Sequence, residues 1–95
     1  LSTEDTDVFM RHVRNGNISK MKDFVKTHPG APNCQQKGLS PLLLAVKLGF
    51  SEMVLYLVGQ GARLTFRDNN GCNALHLSAL SRNAPMTHIL VNLIE

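Results

Sequence analysis

Four histidines and two cysteines are the side chains best suited to metal binding or nucleophilic chemistry. They are His12, His28, His76, His88, Cys34 and Cys72. None of them follows the C-x₂-C or H-x₃₋₅-H spacing that is typical of a zinc site. The two cysteines are too few for a disulfide framework and are predicted to be reduced thiols in a cytoplasmic or nuclear protein. The sequence therefore predicts neither a metal nor a cofactor.

Catalytic arrangements are also missing from the sequence. No G-x-S-x-G, P-loop or G-x-G-x-x-G pattern occurs, and the acidic residues are scattered without a pair placed for acid–base work. His76 and Ser78 lie two positions apart on a predicted helix, so their side chains point away from each other. We therefore predict that the chain is not an enzyme.

The composition describes one small domain built from aliphatic side chains. The chain has 95 residues, of which 43% are hydrophobic and 5% aromatic, and a formal charge of +3. This length allows a single core, and its aliphatic residues suit helices. Lys20, Lys22 and Lys26 leave nucleic-acid binding as a minor alternative. A solvated outer helix face explains them more simply, because no aromatic residues are interleaved with them.

The apolar density of the segment 38–62 raises the question of a membrane span. Its longest nearly uncharged run (50–62) is shorter than the roughly 20 residues that a span requires. The acidic start of the chain has no apolar signal core. We predict no membrane insertion and no targeting peptide.

An internal repeat explains the same segment better. The stretch GLSPLLLAVKLG (38–49) aligns with GCNALHLSALSR (71–82), and each matched pair is separated by 33 residues. A step of 33 residues in the other direction aligns Val46 with Val13 and Gly49 with Gly16. The chain is therefore predicted to be a single domain (1–95) of three units, which are 2–34, 35–67 and the incomplete 68–95.

Each unit is predicted to form two short helices and a loop. In the middle unit, Ser40 is an N-cap and Pro41 a first helical residue. Gly49 ends this helix, and the next helix begins at Ser51 and ends near Gly61. No helix is expected to exceed about ten residues, and helices this short need neighbours to be stable.

These motifs resemble the ankyrin repeat. The middle unit carries G-x-S-P-L-x-x-A and then E-M-V-x-x-L-V-x-x-G-A, and the third unit carries D-N-N-G-C-N-A-L-H-L. The resemblance covers the whole chain and implies an all-α solenoid of stacked helix pairs with β-hairpin-like loops, called fingers below. It also implies a protein-interaction module of a larger signalling or regulatory protein, and a structural His76 that hydrogen-bonds to neighbouring loops.

The sequence departs from the ankyrin pattern at four places, the first of which is Asp7-Val8 where Thr-Pro is usual. Gln35 stands where the later loop has Asp68, so we expect a shorter first finger. Arg82 replaces the glycine between the two helices of the third unit, and Pro85 replaces a glutamate. The turn between these helices is therefore expected to differ from the turn of the middle unit.

The resemblance places the partner-binding surface on the finger tips and the exposed side of the first helices, which together form a concave groove. The predicted binding residues are Arg14, Asn15, Gln36, Lys37, Leu39, Lys47, Leu48, Phe66, Asn69, Asn70, Leu80 and Ser81, with Cys72 beside them. They favour a protein or peptide partner with acidic and apolar residues. The alternative is a structural spacer in a longer repeat array that has no ligand of its own.

The end of the stack is a second predicted surface. The third unit ends in I-L-V-N-L-I-E without a polar outer face. Because terminal repeats need a polar outer face to stay soluble, we expect further repeats or a partner to cover Leu90, Leu93 and Ile94.

Overall fold

Six helices follow one another in the computed structural model of the chain, which describes residues 2–80 and 82–94. They are α1 (Thr3–Arg14), α2 (Ile18–Thr27), α3 (Pro41–Leu48), α4 (Ser51–Gly59), α5 (Ala74–Leu80) and α6 (Ala84–Ile94), with a 3₁₀ turn at Ala31–Asn33. These described residues form no strand, although an isolated antiparallel bridge joins Gln36 to Leu39. The predicted all-α fold is confirmed.

The helices are arranged as three stacked layers, each of which is one helix pair. Within the layers α1 packs on α2, α3 on α4, and α5 on α6. Helix α3 lies between α1 and α5, which makes the second pair the central layer. Among the described residues, no helix combines the length and apolar character needed to traverse a bilayer.

The core repeats with the same period as the sequence. Val13 of the first layer and Val46 of the second are both completely buried, and so are their layer partners Met21 and Val54. Leu42, Ala45 and Leu57 of the central layer are also core residues. Apolar side chains at matching positions therefore pack each layer against the next, and this burial stabilises helices that would be marginal alone.

Two helices are longer than the sequence predicts. Helix α1 has 12 residues and α6 has 11. Helix α1 begins at Thr3, where the later layers have a finger, and Ser2 caps it by accepting a hydrogen bond from the Asp5 backbone N–H at 3.1 Å. Acidic residues in this first turn also suit the positive end of the helix dipole.

The prediction for the end of the stack is wrong for Leu90. Its side chain is 0% exposed, because it aligns with Leu57 and faces the core of its own layer. Leu93 is half-buried, and the side chain of Ile94 lies outside the described part of the chain. Ala79 and Val91 of the third layer, by contrast, are exposed.

Candidate protein-binding surface

Three equivalent positions, one per layer, form a line along the ends of the first helices. They are Arg14, the last residue of α1, Lys47 in the last turn of α3, and Leu80, the last residue of α5. All three are exposed, and Leu80 is 70% accessible. The ion pairs of the described residues, Lys26–Asp23 and His28–Asp5, lie elsewhere. The line therefore carries two unneutralised cations and one exposed leucine.

The neighbouring line follows one residue later in each layer. Asn15 is the C-cap of α1 and is exposed. Leu48 ends α3 with 42% of its surface accessible, although it is a large aliphatic residue. Ser81, the third predicted member, lies outside the described residues.

The first finger is a tight two-residue turn. Lys37 (φ 52°) and Gly38 (φ 77°) both lie in the left-handed region, which defines a type I′ turn, and Gln36 and Leu39 exchange backbone hydrogen bonds at 2.8 and 2.9 Å. Lys37 is exposed at the tip. The prediction that the first finger is the shorter one agrees with this turn.

Two predicted binding residues of this finger also make contacts within the fold. The Gln36 amide donates a hydrogen bond to the Asp7 carboxylate and accepts one from the Arg14 guanidinium at 3.5 Å. It thereby ties the finger to α1. Leu39 is half-buried against the core, so its side chain contributes to folding more than to the free surface.

The second finger is wider because an aspartate organises it. The Asp68 carboxylate accepts hydrogen bonds from the backbone N–H groups of Asn70 and Cys72, each at 2.9 Å. Asn69 and Asn70 are exposed at the tip. The Asn69 side chain also lies over Gly38 of the first finger, where an added Cβ would come within 2.4 Å of it.

Phe66 is half-buried against the core and does not stand free in the groove. Its equivalent in the preceding loop is Asn33, whose side chain bonds to the Gly61 carbonyl at 3.2 Å and to the Arg63 N–H at 3.0 Å. Asn33 therefore holds its loop against the next one, whereas Phe66 packs against the core. A half-buried aromatic of this kind cannot be distinguished from an exposed anchor by residue type alone.

His76 is structural, as predicted, but its role is local. Its backbone N–H donates to the Asn73 side chain at 2.9 Å, and the Asn73 N–H points at His76 Nδ1 at 3.3 Å. This reciprocal pair caps the start of α5 in the manner of a capping box. The described hydrogen bonds of His76 thus remain within its own layer and do not connect neighbouring loops.

A cleft beside the second finger was not predicted from the sequence. It has a volume of about 420 Å³ and is lined by Gly71, Cys72, His76, Ala79 and Leu80. The equivalents of His76 and Ala79 in the central layer are Leu43 and Val46, which are buried where α5 packs on α3. The sequence did contain a signal for this cleft, because His76 and Ala79 lie 33 residues after Leu43 and Val46, which the next layer covers.

The comparison with known families agrees with these stacked layers. The family described as ankyrin repeats, in three copies, matches residues 9–95. The chain belongs to the ankyrin repeat family. It is also 30% identical over 78 residues to potassium channel AKT2/3 of Arabidopsis thaliana, a match that covers 82% of this chain and 10% of that protein. Ankyrin repeats generally serve as protein–protein interaction modules.

The two thiols of this ankyrin stack differ in environment. Both are free, as predicted, but Cys34 is buried whereas Cys72 is half-buried and lines the cleft. Burial raises the pKa of the Cys34 thiol to about 11. Within residues 2–80 and 82–94, no group of three or more His, Cys, Asp or Glu side chains is placed to hold a metal ion.

The lysines of α2 belong to the outer side of the ankyrin stack. Lys26 lies 4.0 Å from Asp23, and the Lys22 ammonium lies 5.4 Å from the centre of the Tyr56 ring. Partial burial, together with the positive charges of Lys20 and Arg11, lowers the pKa of His12 in this region. Two of the three lysines therefore have partners on the protein itself, which favours a solvated outer face over a phosphate-binding track.

Proposed function

We propose that the groove side of this ankyrin stack binds a segment of a partner protein that carries acidic and apolar side chains. The observation that supports this proposal is the line of Arg14, Lys47 and Leu80, with Lys37 and Leu48 beside it, all exposed. No carboxylate pairs with these cations among the described residues. A partner carboxylate would gain charge-assisted hydrogen bonds here, while aliphatic partner residues would cover the two leucines.

The module is proposed to act within a larger signalling or regulatory protein of the cytoplasm or nucleus. The two free thiols favour a reducing compartment. The similarity to about a tenth of a potassium channel's length is compatible with a small module in a larger protein.

The test compares two double variants of the chain as bait. Lys47→Ala with Leu48→Ala removes the centre of the groove, and Lys26→Ala with Leu55→Ala removes the same residue types from the second helices, where Leu55 is 49% exposed. Partners captured by wild type are identified, and their affinities are measured after circular dichroism has shown that both variants fold. We expect the groove variant to weaken binding by about 1–3 kcal/mol.

The control variant should bind as wild type does. Equal losses of affinity in both variants would indicate that the binding site is not in the groove. An unchanged affinity of the groove variant would contradict the proposal. Failure of the wild-type chain to retain any partner would favour the spacer alternative.

A further inference from the structure

Two asparagine–glycine pairs lie on the groove side of the protein. They are Asn15–Gly16, between α1 and α2, and Asn70–Gly71, at the tip of the second finger, and both asparagines are exposed. Every other asparagine of the chain is followed by a larger residue. Because glycine has no side chain and gives the backbone more freedom, these two pairs are the places where an asparagine side chain can most readily react with the following backbone nitrogen.

The reaction in question is deamidation through a cyclic imide. The backbone nitrogen of the glycine loses its proton to hydroxide and attacks the side-chain amide carbon of the asparagine. The new C–N bond closes a five-membered ring, the bond to the side-chain nitrogen breaks, and this nitrogen takes a proton from water and leaves as ammonia. Water then opens the ring at either carbonyl, which gives aspartate or isoaspartate. Nothing is oxidised or reduced, and water is the only net co-reactant.

The backbone nitrogen of Gly16 is held where two helices meet. It donates a hydrogen bond to the Val13 carbonyl at 3.0 Å, and the following N–H, that of Asn17, donates to the His12 carbonyl at 3.0 Å. The Phe50 ring of the central layer lies over this turn, 3.4 Å from the position of a Cβ added to Gly16. Freeing the Gly16 nitrogen therefore requires the end of α1 to unwind and its contact with the central layer to open.

The backbone nitrogen of Gly71 is held within its own finger. It donates to the Asp68 carbonyl at 3.0 Å, and the Asp68 carboxylate accepts from the N–H groups of Asn70 and Cys72. Apart from its chain neighbours, no heavy atom of the described residues lies within 4 Å of a Cβ added to Gly71. Opening this loop breaks exposed hydrogen bonds without separating packed helices, and such segments open at a lower free energy than packed elements do.

We propose that Asn70 is a site of spontaneous deamidation whose rate is set by opening of the second finger, and that the fold protects Asn15 from the same reaction. By sequence the two pairs are equivalent, and the difference between them comes from what holds each glycine nitrogen. The reacting atoms belong to adjacent residues, so the reaction does not require either end of the stack to be open.

The product carries a new charge at the finger tips. A carboxylate replaces a neutral amide, which lowers the formal charge of +3 by one. The second finger lies close to the first, since the Asn69 side chain lies over Gly38, the neighbour of Lys37. The new carboxylate therefore repels an acidic partner at the groove. This consequence rests on the proposed function, whereas the reaction itself does not.

The first experiment follows both pairs in one sample of the full chain, which is kept folded at neutral pH and physiological temperature. Aliquots are digested with trypsin, which places the two pairs in the peptides 15–20 and 68–82. Each peptide also contains an asparagine that glycine does not follow, Asn17 or Asn73, as an internal control. Mass spectrometry measures the exchange of NH₂ for OH at each position, and the zero-time sample corrects for reaction during digestion.

In the folded chain we expect Asn70 to deamidate at least about tenfold faster than Asn15, which corresponds to a difference of about 1.4 kcal/mol in the free energy of opening. In guanidinium chloride, where the fold no longer distinguishes the pairs, the two rates should become similar. Chromatographic separation of aspartate from isoaspartate peptides shows that the product formed through the ring.

The second experiment changes the residue that organises the finger. Asp68→Ala removes the acceptor of two backbone N–H groups and should speed the reaction at Asn70 at least about threefold. Asp68→Asn keeps an acceptor oxygen at this place and should leave the rate near that of wild type. The two variants lose the same charge, so their difference reports the hydrogen bonds. The rate at Asn15 should change in neither, and circular dichroism shows that both fold.

Three results would overturn the inference. The first is a rate at Asn70 that is no higher than the rate at Asn73. The second is an equal rate at Asn15 and Asn70 in the folded chain, and the third is an unchanged rate at Asn70 in Asp68→Ala.

The consequence for binding has its own test. Asn70→Asp, used as bait in the capture experiment described above, should retain less partner than wild type does. Equal retention would remove the effect on binding and leave the reaction standing. Failure of the wild-type chain to retain any partner would instead count against the proposed function.

Discussion

The α5-facing side of the central layer and the open side of the third layer are built on the same frame but carry different side chains. Leu43 and Val46 of the central layer are almost completely buried where α5 packs on them. Their equivalents in the third layer, His76 and Ala79, are exposed. The difference shows that the next layer, and not the helix itself, requires apolar residues at these positions.

The central and third layers also differ in the contact between their own two helices. Ala45 and Val54 form an apolar contact region in the central layer, and both are 0% exposed. Their equivalents are Ser78 and Thr87, whose hydroxyls hydrogen-bond at 2.9 Å. Ser78 is 0% exposed, as Ala45 is. The third layer thus has polar groups in a place where its inner neighbour has none, and both hydroxyls are hydrogen-bonded there.

The largest expected difference between the layers concerns Leu43 and His76. Leu43→Ala should lower the free energy of unfolding by about 2–5 kcal/mol, because it leaves a cavity between two layers. His76→Ala should lower it by less than about 1 kcal/mol, since only the exposed bond from the Asn73 N–H to the His76 ring is lost and the His76 backbone N–H still bonds to Asn73. Urea unfolding followed by circular dichroism measures both, and losses of similar size would show that the open side is covered in solution.

The turn between the helices offers a second comparison, at Gly49 and Arg82. Gly49 has a φ of 81°, so Gly49→Ala should destabilise the protein by about 1–2 kcal/mol. An added Cβ would lie 3.4 Å from the Asn83 amide nitrogen, so the loss is mainly conformational. Arg82→Gly removes the same strain from the third layer and should gain up to about 1 kcal/mol.

Gly59 supplies the matched control for this pair. It ends α4, has no left-handed φ and has open space around its Cα, so Gly59→Ala should be neutral or stabilising. Thermal unfolding of the three variants gives the ranking. A loss on Arg82→Gly would indicate that the Arg82 side chain makes a stabilising contact that outweighs the strain.

The stacked fold could be predicted from the sequence because its signals are periodic. Ser40, Pro41 and Gly49 mark a helix by local chemistry, and the 33-residue recurrence supplies the layers. The length of α1 was missed because Thr3 to Asp7 align with a finger, and nothing in that alignment shows that the chain continues as helix once no finger is needed. The cap by Ser2 was the local signal for it.

The position of the candidate surface could be predicted from the sequence, but not which of its side chains make contacts within the protein. Arg14, Lys47 and Leu80 are exposed as the repeat pattern predicts. By residue type, Gln36 and Phe66 are equally good candidates for binding. In the structure, however, Gln36 hydrogen-bonds to Asp7, and Phe66 packs against the core. Such contacts depend on which side chains of adjacent layers meet, and a single sequence does not contain that information.

The smallest expected effect is the coupling between Ser78 and Thr87. Each single variant, Ser78→Ala or Thr87→Val, removes one partner of a partly buried hydrogen bond and should cost about 1 kcal/mol. The double variant recreates the Ala–Val pair of the central layer, so its loss should be smaller than the sum of the single losses by about 0.5–1.5 kcal/mol. A double-mutant cycle in urea measures this coupling. Strictly additive losses would mean that each hydroxyl is stabilised by its own helix carbonyl, Leu75 for Ser78 and Asn83 for Thr87, and that the bond between the helices contributes nothing.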